Sequence, residues 1–277
     1  MGAHLKLACY PLHAWLLCAV TVVVFAGGTP AFAQPDAEID VLRTAFQSRV
    51  TPRLVLPPDE VLRYAHLTQA MLDQSGTRML TPQYVVVVDR SPLVQAVLLF
   101  WWGMQTPAAL VGASLVSTGR VGQFDHFESP MGVFSHTLDN PDFRAEGTKN
   151  AQGFRGYGAK GLRVFDLGWQ QAKRGWGKGG VSTMRLQMHA TDPDLAEPKL
   201  GSVQSKGCLR ISASLNRLLD QFGVLDADYE AAHATGPALW VLDAQRTPVT
   251  GAGRYVVVVD SQRSTRPGWV VLPTTSR

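Results

Sequence analysis

Cysteine is nearly absent. The chain holds three, Cys9, Cys18 and Cys208, too few for a disulfide-built scaffold. Charge of one sign is not concentrated either. The 26 basic and 22 acidic side chains leave a net charge of +4, with no Lys/Arg block. A nucleic-acid binder usually gathers its basic residues into a patch, so that class is disfavoured. No His-Glu-x-x-His, no Cys-x-x-Cys and no Gly-Lys-Ser/Thr after a strand-like run is present. The common zinc and phosphate-cradling signatures are therefore missing. Charged residues make up only 17% of the 277 against 45% apolar, which suits a packed core and argues against wholesale disorder.

One long apolar run is present, at the start. Lys6 is the only strong charge in the first 33 residues, and residues 14 to 26 are apolar apart from one Thr. As helix that run spans roughly 20 Å, short of a bilayer core. Gly27, Gly28 and Pro30 break it, and Ala31-Phe32-Ala33 offers small residues at the positions a signal peptidase reads. Residues 1–33 are thus expected to be a cleavable export signal, placing the mature chain in the periplasm with no stable membrane span. An uncleaved anchor is the alternative. Cleavage would remove Cys9 and Cys18, leaving Cys208 as a lone thiol in an oxidising compartment. Such a thiol is a liability unless it is inert or has a chemical role.

The mature chain reads as helical over 34–80, β-rich over 81–260, and as a tail over 261–277. Ile39, Leu42 and Phe46 fall at helical spacing, and Pro57-Pro58-Asp59-Glu60 opens a second helix that Ser75-Gly76 ends. From Tyr84 the texture changes. Strands are predicted over 84–89, 96–101, 110–117, 133–138, 163–167, 184–189, 240–242 and 255–260, punctuated by Gly and Pro as in sandwiches and barrels. The run Tyr-Val-Val-Val-Val-Asp at 84–89 lacks alternation and should be buried on both faces. Ten glycines between 147 and 180, interleaved with Phe154, Tyr157, Trp169 and Trp176, suggest long loops over a site. A helix capped by Ser212 or Ser214, with Leu215, Leu218, Leu219 and Phe222 on one face, ends at Gly223.

Chemistry concentrates in one segment. His189 ends a strand-like run, and nineteen positions later comes Ser205-Lys206-Gly207-Cys208-Leu209-Arg210. Read as a turn entering the helix, Gly207 lets the backbone bend, and its N–H is expected to face a developing oxyanion. The helix terminus, Lys206 and Arg210 are expected to lower the Cys208 thiol. His189, within reach, would take the thiol proton and return it to a leaving amine. A core cysteine and an internally satisfied histidine are the plain alternative. His126 and His136 lie near Asp125, Glu128 and Asp139, but a polar loop rim suits them better than a metal site. Trp101, Trp102, Trp169 and Trp176 are candidates for gripping a glycan, although Trp101 and Trp102 fit better as the end of a strand.

These residues resemble the catalytic motif of the L,D-transpeptidase (YkuD-like) family of bacterial cell-wall enzymes. That family pairs a His-Gly-type dipeptide with Ser-His-Gly-Cys-x-Arg, and this chain reads His189-Ala190 and Ser205-Lys206-Gly207-Cys208-Leu209-Arg210. Val116-Ser117-Thr118-Gly119-Arg120 and Ser129-Pro130-Met131-Gly132-Val133-Phe134 are similar to its upstream stretches. The likeness covers roughly residues 81 to 260. Lys206 stands where a second His is common, Ala190 replaces Gly or Ser, Ser129 replaces Thr, and residues 141–180 form a longer insertion.

The resemblance implies a mainly β, sandwich- or barrel-like catalytic domain and acyl transfer on peptidoglycan stem peptides. Cys208 would attack the third stem residue and expel the terminal D-alanine. A neighbouring stem amine would take the thioester, forming a 3→3 cross-link. The Ala190 carbonyl would orient His189, the Gly207 and Cys208 N–H groups would stabilise the oxyanion, Ser205 and Lys206 would contact substrate, and Arg210 would hold the turn or a substrate carboxylate. The thioester conserves the amide's energy, so no metal or other cofactor is implied. A carboxypeptidase or endopeptidase on the same scaffold, or a catalytically idle wall-binding protein, are the rival readings. Nothing in the sequence sets an oligomeric state.

Overall fold

The computed structural model describes residues 35–104 and 107–273. The predicted export signal, with Cys9 and Cys18, lies outside the described residues. The chain begins with α1 (Pro35–Arg49), β1 (Arg53–Leu54) and α2 (Pro58–Ser75), followed by β2 (Gln83–Asp89), β3 (Ala96–Trp102) and β4 (Ala109–Ser117). Then come β5 (Gly132–Ser135), β6 (Phe143–Arg144), β7 (Arg163–Lys173), β8 (Val181–Ala190) and β9 (Leu209–Ile211). Helices α3 (Ala213–Gln221) and α4 (Ala227–Thr235) precede β10 (Tyr255–Val259).

The strands form one open, curled sheet in the order β5-β10-β2-β3-β4-β9-β8-β7-β6, with β1 on β4. The architecture is mainly β as expected, but the sheet has free edges at β5 and β6 and does not close into a barrel. Its first half is covered on both sides. Tyr84, Val86 and Val88 face a core shared with α1, whereas Val85 and Val87 face a second core shared with α2. That double burial is why β2 shows no alternation.

The second half is covered differently. Met184, Leu186 and Met188 of β8 and Leu209 and Ile211 of β9 turn inward to the α1 and α3 core. Their alternates therefore point outward: Arg185, Gln187 and His189 on β8, Cys208 and Arg210 at β9. This is the face that carries the candidate site.

Several expectations shift. Residues 240–242 form a turn, not a strand, and α4 was not anticipated. Strand β7 runs six residues past its predicted end at 167, because beyond a register shift it stays paired with β8 as far as Lys173, opposite Val181. The helix predicted to follow Cys208 directly begins only at Ala213, after β9 intervenes; Ser212 caps it, accepting from the Leu215 N–H at 3.2 Å. Residues 261–273, read as a tail, pack onto α2. The Trp269 ring meets Tyr64 edge-on at 6.0 Å, and Val270 is buried.

Candidate active site

Two parallel strands bring the sequence-distant residues together. In the β8–β9 register Met188 pairs with Leu209 and His189 with Arg210. Cys208, one residue before the strand, thus shares the outward face with His189 and Arg210, about one rung away. Cys208 is partly exposed, while His189 is buried. The thiol contacts the Arg185 carbonyl at 3.7 Å, and no hydrogen bond joins it to the imidazole among the described residues.

The Nδ1 of His189 lies 2.5 Å from the Ala190 carbonyl. A carbonyl only accepts, so Nδ1 carries the hydrogen and Nε2 is left as the base. Burial, helped by the Arg210 charge and opposed by the Ala190 contact, holds His189 down at about 4. Burial also pushes the Cys208 thiol up, against the lowering pull of the Gln187 N–H and Arg210. The thiol expected to be lowered is therefore raised. The helix terminus meant to lower it lies beyond β9, and Lys206 turns to the rim, where its Nζ meets Asp125 at 2.9 Å.

The turn before Cys208 is held from within. Ser205 Oγ accepts from the Gly207 N–H at 3.0 Å and donates to the Cys208 carbonyl at 2.6 Å. The Gly207 N–H is thus engaged by Ser205 and does not stand free for an oxyanion. Ser205, fully buried, shapes the turn and is not open to substrate. Ser129 Oγ donates to the Gly207 carbonyl at 2.6 Å. Gly207 has φ +131°, a conformation that favours glycine, and a Cβ there would press on the end of the Met184 side chain, 2.7 Å from its sulfur.

Arg210 has no carboxylate partner among the described residues. Its Nη1 approaches the Gln204 carbonyl at 3.4 Å, its guanidinium lies 5.5 Å from the Phe154 ring centre, and its buried Nε is unsatisfied. Burial lowers its ordinarily very high pKa.

The glycine-rich insertion contributes residues the motif did not reveal. Tyr157 lies edge-on to His189 at 4.7 Å, and its hydroxyl donates to Gln187 Oε1 at 2.9 Å. Gln187 Nε2 donates to Asp166 at 2.8 Å, and Asp166 pairs with Arg185 at 2.9 Å. The loop is tied down where Asp192 accepts the Arg155 N–H at 2.8 Å. Gln187 was findable, since it stands two residues before His189 on a period-2 strand; Tyr157 had no signal beyond an aromatic residue among glycines. The polar residues near 125–139 do not converge. His136 is buried on Asp142, whereas the His126 ring contacts the Phe124 carbonyl.

No protein family profile and no curated protein matches the chain. Among solved structures it is similar to a fused Zn-dependent amidase/peptidase/peptidoglycan-binding domain-containing protein from Clostridium acetobutylicum. Identity is 12% and the TM-score 0.28, over 74% of this chain and 64% of that one. The chain spans less than two thirds of that protein, and a likeness at this score carries no argument. Among the described residues, no helix is long and apolar enough to cross a membrane.

Proposed function

We propose that the chain is a periplasmic L,D-transpeptidase that forms 3→3 cross-links between peptidoglycan stems. The observation that carries this reading is the shared outward face of β8 and β9, with Cys208, Arg210 and an imidazole docked by Nδ1 on the Ala190 carbonyl. The resting pair is a neutral thiol and a neutral imidazole. As Sγ attacks the carbonyl of the third stem residue, Nε2 of His189 takes the thiol proton. The Cys208 N–H stabilises the oxyanion in place of Gly207. Nε2–H then protonates the departing D-alanine nitrogen, the C–N bond breaks, and a thioester remains. A side-chain amine of a neighbouring stem attacks it, gives its proton to Nε2, and the thiol is restored. Arg210, with a buried Nε left unsatisfied and no carboxylate partner among the described residues, pairs with a substrate carboxylate.

A catalytically idle wall-binding scaffold is the second reading. The thiol's contact with the Arg185 carbonyl and its raised pKa favour it. One experiment separates the readings. Purified tetrapeptide muropeptides are incubated with the protein and the products weighed by mass spectrometry. The expected result is a cross-linked dimer plus free D-alanine, both lost in Cys208→Ala. Tripeptide without dimer would reassign the activity to a carboxypeptidase; no product from the wild type would leave the idle scaffold.

A further inference from the structure

We propose that the outward face of the β7–β8 hairpin, next to the thiol, is a glycan-binding platform with Trp169 as its stacking residue. The proposal deepens the cell-wall reading, since it names where the sugar backbone of a peptidoglycan strand would lie.

Trp169 is 63% exposed in the middle of a strand, an unusual place for an indole. It is also held. It pairs with Arg185 across the hairpin, whose guanidinium carbon lies 5.4 Å from its ring centre. Arg185 is fixed in turn, its Nε donating to both Asp166 oxygens at 2.9 and 3.0 Å. One flank of the indole is thus braced by an anchored cation, and the rest faces solvent. A pre-oriented ring loses little freedom on binding.

The surroundings select the ligand. Along the same face lie exposed Gln171 and Thr183, joined by Gln171 Nε2 donating to Thr183 Oγ1 at 3.0 Å, and then Lys173. Apart from Val181 at the tip, Trp169 stands among polar side chains. An apolar protein partner would need a continuous apolar patch. A pyranose presents what this face fits: a C–H surface for the indole and hydroxyls for planar amide, guanidinium and hydroxyl groups. The face is also continuous with the candidate site. The Arg185 carbonyl touches Cys208 Sγ, and Arg185 lies four positions before His189 on β8, roughly 13 Å along the strand. A sugar on Trp169 would therefore present its peptide substituent toward the thiol.

The test needs no turnover. Full-length Cys208→Ala is titrated calorimetrically with chitotetraose and, separately, with glycan strands stripped of stem peptides by an amidase. Binding is expected, weakened about tenfold or more by adding Trp169→Ala and kept within a few-fold by Trp169→Phe, with thermal melts unchanged. If neither glycan binds, or Trp169→Ala binds as tightly as its parent, the platform is wrong. Should Trp169→Ala fail to fold, Gln171→Ala with Thr183→Ala on the same face must weaken binding instead. The two proposals fail separately. Glycan binding through Trp169 without dimer formation would sink the transpeptidase reading alone. Dimer formation from muropeptides without glycan binding would sink the platform alone.

Discussion

At the thiol and the imidazole, burial drives both groups toward their neutral forms, and the pH behaviour follows. His189, held at about 4, stays an available base far below the usual imidazole range. The acid limb of kcat/KM should therefore hold between pH 7 and 5 and fall only toward pH 4. A midpoint near 6.5, the ordinary imidazole value, would show that burial does not hold His189 down. The same group contributes to stability. Its folded pKa lies below its unfolded value near 6.5, so the unfolded chain binds the extra proton in between. Its contribution is complete above about pH 6.5 and is lost as pH falls toward 4, by roughly 3 kcal/mol. Buried His136, raised by Asp142 despite burial, acts with the opposite sign. Chemical denaturation of wild type and His189→Asn at pH 7 and 5 isolates the His189 share: the variant should lose less stability. Arg210 is tested by alkylation. Iodoacetamide should label Cys208 more slowly than free cysteine at pH 7. The ratio of iodoacetate to iodoacetamide rates should exceed that of free cysteine and fall about fivefold in Arg210→Met, the effect of one charge a few ångströms away in water.

The turn from Ser205 to Cys208 is the element on which the site depends, and its glycine is its weak point. Gly207→Ala combines a positive φ with a Cβ driven against Met184 and the Phe127 side chain. It should cost about 1–3 kcal/mol in urea unfolding and abolish the proposed cross-linking, because a side chain at that φ strains the turn. Gly76, the left-handed cap of α2, has φ +67° but open space around it. Gly76→Ala should cost about 1 kcal/mol and leave product formation intact. Activity retained in Gly207→Ala as fully as in Gly76→Ala would show that the turn tolerates displacement. Much of the element level was legible in the chain. Ser212 as cap, Gly76 as stop and the run at 84–89 all rest on local chemistry that tertiary context did not override. Residues 240–242 misled, because a short apolar run suits a turn that buries two of its side chains as well as a strand; Trp240 stays exposed. In the structure Val241 and Leu242 pack on Tyr229.

Across the whole molecule, a buried ionic cluster ties together parts of the chain far apart in sequence. Arg163 on β7 reaches Asp142 and Asp226 at 2.7 Å each and Asp220 on α3 at 3.5 Å. His136 meets Asp142 at 2.9 Å, and Arg144 meets Asp220 at 2.8 Å. With His136 protonated, three carboxylates face two guanidiniums and one imidazolium. The cluster lies on the inward side of β7, with Phe165, and so opposite the face that carries Cys208. Arg163→Met would leave buried Asp226 without its ion-pair partner, while Asp142 keeps His136 and Asp220 keeps Arg144, and should cost about 3–5 kcal/mol by denaturant titration. A loss under 1 kcal/mol would mean that water or a rearranged partner replaces the guanidinium.

The chain by itself determined its β-rich middle, its leading helices and the pairing of one histidine with one cysteine as the place to look, since strand texture, caps and motif spacing are local properties. What it could not settle is which groups meet across distance. The parallel pairing of β8 with β9 aims Cys208, His189 and Arg210 out of one face, and the insertion folds back to lay Tyr157 on the imidazole. The protonation states followed from that packing, because a pKa answers to the dielectric and charges around a group, and these exist only once the chain has folded.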